Sequence, residues 1–142
     1  MKVAIIDYGA GNTQSVKYAL KRLGCEGVLT SDKEVISNSD KVIFPGVGQA
    51  SSAMKKLKSK SLDVLIPNLK QPVLGICLGM QLMCNFSEEG DVDCLRIFDS
   101  NVKRFNNLLK VPQIGWNTIF DLKTKLFDRN SRSVKLTKDG TL

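Results

Sequence analysis

A cysteine framed by two glycines is the pattern in this sequence with the clearest chemistry, Gly75-Ile76-Cys77-Leu78-Gly79. An apolar run ends just before the cysteine and a helical pattern follows it, which predicts a strand-to-helix turn at Cys77. This is the layout of a nucleophile elbow, where small neighbours let the backbone turn sharply and a substrate approach. The following helix N-terminus favours a thiolate, and the Leu78 N–H is placed to stabilise an oxyanion. The alternative is a small, buried, apolar cysteine.

A second glycine loop, Pro45-Gly46-Val47-Gly48, ends a neighbouring predicted strand. Ligands of parallel α/β sheets gather at the carboxyl ends of the strands, so this loop and Cys77 are expected to lie at the same edge. Its exposed backbone would form the second wall of an oxyanion hole. The alternative is a simple tight turn with no role in chemistry.

The elements that must position these loops alternate between short apolar runs and helical patterns. Alternation of this kind implies right-handed crossovers and a parallel sheet covered on both faces, so we expect a flavodoxin-like open α/β fold. The predicted strands are Val3–Ile6, Gly27–Thr30, Lys41–Phe44 and Pro72–Ile76, followed by two weaker strand patterns at Val102–Phe105 and Trp116–Phe120. The predicted helices follow Asn12 up to Gly24 and cover Ala50–Leu57, Leu62–Leu69 and Leu78–Phe86.

Composition narrows the class of protein further. The chain has 142 residues and is 42% apolar, which suits one compact domain. Neither a membrane-spanning run nor a signal-peptide pattern is found, so a cytoplasmic protein is expected. The four cysteines, Cys25, Cys77, Cys84 and Cys94, form no C-x-x-C pair, and there is no histidine. We therefore expect free thiols, no metal site and no cofactor.

The charge distribution separates the last residues from the rest. Six of the seven net positive charges fall in residues 103–142, and no nucleic-acid-binding motif accompanies them. This is typical of a solvated tail rather than a nucleic-acid surface. Periodicity fades from Leu122, and Asp128–Leu142 is rich in polar and charged residues. We therefore expect a partial domain over residues 1–127 and a poorly ordered tail over 128–142.

Four motifs in order give the sequence a family resemblance that runs from residue 1 to about 127. The chain resembles the class I (triad-type) glutamine amidotransferases, and among them the glutaminase subunits of imidazole glycerol phosphate synthase in histidine biosynthesis. The motifs are Tyr8-Gly9-Ala10-Gly11-Asn12, Pro45-Gly46-Val47-Gly48, Gly75-Ile76-Cys77-Leu78-Gly79-Met80-Gln81 and Pro112-Gln113-Ile114-Gly115-Trp116-Asn117.

The resemblance implies a role for each matching residue. Glutamine would be the substrate, with Cys77 attacking its side-chain amide and ammonia passing to a βα-barrel cyclase subunit. No nucleic acid or membrane partner is implied. The oxyanion and substrate would be held by Gly46, Val47, Gly48, Leu78 and Gln81, and the cyclase interface would include Asn12 and Trp116. For these last two the alternatives are a helix cap and a core aromatic.

One departure from the family is large. The resemblance implies a histidine base oriented by a glutamate, and this sequence contains no histidine. We therefore expect the C-terminal part of the family domain to be missing, and the chain to be inactive alone. Two alternatives remain: a non-catalytic module that docks on a cyclase, and a thiol-based redox sensor using Cys77 and Cys84. The second is weak, because seven residues of helix separate these sulfurs by about 10 Å, too far for a disulfide.

Overall fold

Four parallel strands form the central sheet of the part of the chain that the structure, a computed structural model, describes: residues 1–105 and Gly115. The sheet order is β2-β1-β3-β4, the order expected for the first four strands of a flavodoxin-like fold. Its strands are β1 (Val3–Ile6), β2 (Gly27–Thr30), β3 (Lys41–Gly46) and β4 (Val73–Cys77). The predictions for Trp116, for the strand pattern at Trp116–Phe120, for the 127/128 boundary and for the tail concern residues outside the described part.

Helices cover both faces of this sheet, as the sequence predicts. On one face α1 (Thr13–Arg22) places Leu20 against Val3 and Ile5. The larger core lies on the other face, where Phe44 and Ile6 pack against several helices. Those helices are α2 (Lys33–Ser37), α3 (Ala50–Ser59), α4 (Leu62–Leu65), its 3₁₀ extension Ile66–Asn68, and α5 (Leu78–Leu82).

The helix predicted over Leu78–Phe86 is wrong at its end, since α5 ends at Leu82. After Leu82 the backbone carbonyls accept hydrogen bonds from a later part of the chain. The N–H groups of Ile97 and Phe98 both donate to the carbonyl of Met83. The chain then forms a small second sheet, of order β6-β5-β7. Its strands are β5 (Phe86–Ser87), β6 (Val92–Asp93) and β7 (Asn101–Val102).

Smaller corrections concern the bounds and the number of elements. The strand predicted over Pro72–Ile76 lies one residue later, at Val73–Cys77. The strand predicted to stop at Phe44 continues through Pro45 and Gly46. The helix predicted over Leu62–Leu69 narrows to a 3₁₀ turn at Ile66–Asn68, which contains Pro67. The strand predicted over Val102–Phe105 is the two-residue β7, and α2 was not predicted at all.

The short helix α2 depends on a cap at its first turn. The carboxylate of Asp32 accepts hydrogen bonds from the N–H groups of Glu34 (2.8 Å) and Val35 (3.1 Å). The helix in turn places Ile36, which is fully buried, in the main core. A five-residue helix has little stability of its own, so the cap and this one side chain hold it in place.

We expect Asp32→Ala to lower the free energy of unfolding by about 1 kcal/mol, because two N–H groups lose their acceptor. Urea unfolding followed by circular dichroism measures this change. Ser31→Ala is the matched control, since Ser31 is the exposed neighbour of the cap, and it should change stability by less than about 0.5 kcal/mol. Equal stability of Asp32→Ala and Ser31→Ala would contradict the capping role.

Candidate active site

Cys77 is both the last residue of β4 and the residue that begins α5. Its backbone has φ 53° and ψ −117°, a combination that L-residues other than glycine rarely adopt. Such strain costs about 1–3 kcal/mol and persists only where the surrounding structure imposes it. Cys77 is also exposed, whereas Cys25 and Cys84 are half-buried and Cys94 is buried. The alternative of a buried apolar cysteine therefore does not hold for Cys77.

Three glycines allow the first turn of α5 to lie directly on the ends of β3 and β4. A methyl group on Gly79 would overlap the carbonyl oxygen of Phe44. A Cβ on Gly46 would lie 2.6 Å from the N of Gly79, and one on Gly75 would lie 2.7 Å from the Cα of Met80. Each of these neighbours is backbone, which cannot move aside as a flexible side chain can. The close packing holds the turn at Cys77 in its strained shape.

The register of the sheet places the second glycine loop beside the cysteine. Pro45 pairs with Ile76 and Gly46 pairs with Cys77 in the parallel β3–β4 ladder. Val47 and Gly48 then leave the sheet as exposed residues, and Gly48 has φ +90°. The structure thus brings the Gly46–Gly48 backbone and Cys77 to one edge, with Leu78 and half-buried Gln81 following on α5. The stretch can therefore offer backbone N–H groups to a negative oxygen near the sulfur.

Sequence reasoning did not assign a site role to Tyr8, which lies against this edge. Its ring is buried, and its hydroxyl donates to the carbonyl of Pro45 at 3.0 Å. Burial, with a smaller contribution from nearby Cys77, raises the pKa of Tyr8 to about 12. The phenol therefore remains a protonated donor throughout the neutral range. The position of Tyr8 in the sequence could have indicated this role, because Tyr8 follows β1 and β1 is the neighbour of β3 in the sheet.

The loop that follows β1 is held in place by a lysine of α3 and by the lysine that caps its C-terminal end. Lys56 Nζ donates to the carbonyl of Gly9 at 2.8 Å, and Lys60 Nζ donates to the carbonyl of Asp7 at 3.0 Å. Asn12 ends the loop, and its side chain accepts from the Ser15 N–H at 3.2 Å. The helix-cap role considered for Asn12 is therefore present, and its exposed position also leaves it available to a partner.

The described residues offer no candidate metal site. No group of three or more histidine, cysteine, aspartate or glutamate side chains there could hold a metal ion. Burial, then Cys84 and Asp93, raises the pKa of the Cys94 thiol, which makes it less reactive. Within the same part of the chain, no helix is long and apolar enough to cross a membrane.

The fold and this site agree with the comparison to known families. The chain belongs to the class-I glutamine amidotransferases, whose family pattern it matches over residues 4–138. It is similar to the imidazole glycerol phosphate synthase subunit HisH of Bacteroides fragilis strain YCH46, at 65% identity over 89% of this chain and 66% of that protein.

Two further relatives carry the same name. The HisH subunit of Bacteroides thetaiotaomicron is 62% identical over 90% of this chain and 67% of its own length. That of Haemophilus influenzae strain Rd is 47% identical over 90% of this chain and 65% of its own length. This chain therefore spans about two thirds of the length of the curated relatives it matches.

Solved structures support the fold alone. A crystal structure of a glutamine amidotransferase has a TM-score of 0.60 at 20% identity, covering 70% of this chain and 54% of that one. A putative peptidase E protein from Listeria monocytogenes EGD-e has a TM-score of 0.55 at 16% identity, covering 69% and 63%. Both likenesses agree with the open parallel sheet described above.

Proposed function

We propose that this chain is the cysteine-bearing part of the glutaminase subunit of imidazole glycerol phosphate synthase. In this proposal Cys77 attacks glutamine, and the ammonia released passes to a βα-barrel cyclase subunit with which the chain forms a heterodimer in the cytoplasm. The relatives' names and the family match support the assignment. The observation that carries it is the exposed, strained Cys77 paired in register with Gly46.

The proposed reaction begins when the Cys77 sulfur attacks the carbon of the side-chain amide and the carbonyl π electrons move to oxygen. Backbone N–H groups of Val47, Gly48 and Leu78 stabilise the resulting oxyanion, and Gln81 helps to hold the substrate. The C–N bond then breaks, the nitrogen takes a proton and leaves as ammonia, and a glutamyl thioester remains. Water hydrolyses the thioester to glutamate and regenerates the thiol.

Proton transfer is the part of this reaction that these residues do not supply. A base must take the thiol proton, deliver a proton to the leaving nitrogen and later activate water. Histidine is the usual residue for this task, and the sequence has none. That observation favours a second candidate, a non-catalytic module of the same fold that docks on a cyclase through the loop ending at Asn12. Trp116 belongs to the same proposed interface.

Alkylation with a glutamine-shaped reagent tests the proposal without needing the base. The ketone at C5 of 2-amino-6-chloro-5-oxohexanoate takes the place of the glutamine side-chain carbonyl. The Cys77 sulfur displaces chloride from its methylene carbon, so an S–C bond forms, the C–Cl bond breaks, and the thiol proton goes to buffer. We expect mass spectrometry of peptides to find the label on Cys77, and free glutamine to slow its appearance.

The controls separate a substrate site from an ordinary reactive thiol. Cys77→Ser should take up no label at this position, and in the wild-type chain glutamine should slow alkylation by iodoacetamide at Cys77 but not at Cys25 or Cys84. Labelling spread evenly over Cys25, Cys77 and Cys84, or a rate at Cys77 that glutamine does not change, would overturn the proposal of a glutamine site.

A further inference from the structure

The hydroxyl of Tyr8 continues the hydrogen bonding of the sheet beyond the end of β1. The Val42 N–H donates to Pro72, next to β4, so even-numbered residues of β3 direct their backbone groups towards β4. Odd-numbered residues, including Pro45, therefore direct theirs towards β1. The β1–β3 pairing ends at Ile5 with Ile43, two residues before Pro45. Where no strand is left to donate, the Tyr8 hydroxyl donates to the Pro45 carbonyl at 3.0 Å.

The Tyr8 hydrogen bond on one side and the pairing with β4 on the other hold the Pro45–Gly46 peptide group in place. Pro45 and Gly46 are both buried, so an unpaired carbonyl here would be costly. The peptide is planar, so fixing the Pro45 oxygen also fixes the plane in which the Gly46 N–H lies. On the opposite strand Gly46 pairs with Cys77, and a Cβ on Gly46 would be 2.8 Å from the Tyr8 hydroxyl. The peptide that opens the glycine loop thus lies between the phenol and the first turn of α5.

Tyr8 is itself firmly placed. Its ring meets the ring of Phe44 edge to face, with centroids 5.6 Å apart. The carbonyls on either side of it in the chain, those of Asp7 and Gly9, are held by Lys60 and Lys56. A hydroxyl anchored in this way can impose a position on the loop, rather than follow it.

We propose that Tyr8 is a positioning residue for the oxyanion hole: its hydroxyl holds the Pro45–Gly46 peptide so that the N–H groups of Val47 and Gly48 face the carbonyl oxygen of glutamine bound at Cys77. The proposal rests on the glutamine site proposed above and deepens it. Tyr8 touches no reacting atom; it acts through the backbone of the loop. Since the phenol remains protonated at neutral pH, the donor is present under all ordinary assay conditions.

The test compares two reagents on the full 142-residue chain. Alkylation by 2-amino-6-chloro-5-oxohexanoate uses the oxyanion hole, because its ketone oxygen must be accommodated there, whereas alkylation by iodoacetamide depends on the thiolate alone. We expect Tyr8→Phe to lower the ratio of the two rates at Cys77 by about tenfold, less than the 10²–10³-fold loss from deleting a donor outright. The iodoacetamide rate should change by less than about twofold, since it reports the thiolate alone.

Two further variants make the result decisive. Tyr18→Phe is the matched control, because Tyr18 is 57% exposed on α1, and its rate ratio should equal the wild-type value. Incorporating 4-aminophenylalanine at position 8 restores a donor on the same ring and should restore the ratio. It also serves as the test if Tyr8→Phe does not fold, as judged by circular dichroism.

Each outcome bears on a different claim. If glutamine does not protect Cys77 of the wild-type chain from labelling, the proposed function is wrong, and this inference is wrong with it. Normal wild-type labelling with an unchanged ratio in Tyr8→Phe overturns the inference alone. A folded 4-aminophenylalanine variant with a lowered ratio overturns it as well, because the donor is then present without effect.

Discussion

Gly79→Ala is expected to lower the free energy of unfolding by roughly 3 kcal/mol, the upper part of the range for overpacked sites. The added methyl group would occupy the position of the Phe44 carbonyl oxygen, so α5 must separate from β3. Alanine is otherwise a better helix former than glycine by about 1 kcal/mol, so helix propensity alone predicts stabilisation. The sign of the change therefore tells which effect dominates. In a thermal melt the midpoint should fall by at least about 10 °C.

Gly24→Ala is the control for this experiment. Gly24 has φ +69° and open space around its Cα, so alanine there meets backbone strain but no neighbouring atom. We expect it to cost about 1 kcal/mol. Circular dichroism melts of the three proteins measure both effects side by side. If Gly79→Ala were as stable as wild type, or no less stable than Gly24→Ala, the close contact between α5 and β3 would be contradicted.

The purified 142-residue chain is expected to release ammonia from glutamine about 10⁶-fold more slowly than an enzyme with a complete triad, as when the histidine of a serine protease triad is removed. The reason is the absence of histidine, because an activated sulfur alone does not protonate the leaving nitrogen. Adding a cyclase should not restore the rate. A coupled assay for glutamate and ammonia over hours measures the residual turnover.

Cys77→Ala, prepared in the same way, gives the background from contaminating glutaminases. Because triad residues act as a unit, removing the cysteine from a chain that lacks the base should change the rate by less than about tenfold. Turnover near the ~10 s⁻¹ of a typical enzyme, lost in Cys77→Ala, would contradict this expectation and would require another base.

The sequence predicts the elements of the parallel sheet well, because each strand is a short apolar run bounded by turn residues. β1 and β2 have the predicted bounds. β3 continues through Pro45, although proline has no backbone N–H to donate. The nitrogen of Pro45 lies on the β1 side of the strand, beyond the end of the β1–β3 pairing, so no hydrogen bond of the sheet is lost. The early end of α5 was not predictable from Leu78–Phe86 alone. It depends on hydrogen bonds from residues more than ten positions later, which helical periodicity does not reveal.

Part of the candidate site could also be predicted from the sequence, and part could not. Cys77 and the loop Gly46–Gly48 are marked by local patterns, a cysteine between glycines and a glycine pair after a strand, so both could be found from sequence. The contribution of Tyr8 could not, because it depends on the β1–β3 register leaving the Pro45 carbonyl unpaired. The lysines that hold its loop come from α3 and from the residue after it, 47 and 53 residues away in the chain from the carbonyls that they bind.

A crystal structure of the chain after alkylation by 2-amino-6-chloro-5-oxohexanoate tests most directly whether the sulfur of the elbow faces an oxyanion hole. The predicted result is a bond from Cys77 Sγ to the reagent, with the ketone oxygen about 2.7–3.1 Å from backbone N–H groups of the Gly46–Gly48 loop and Leu78. A label on another cysteine, or a ketone oxygen directed at solvent with those N–H groups turned away, would contradict it.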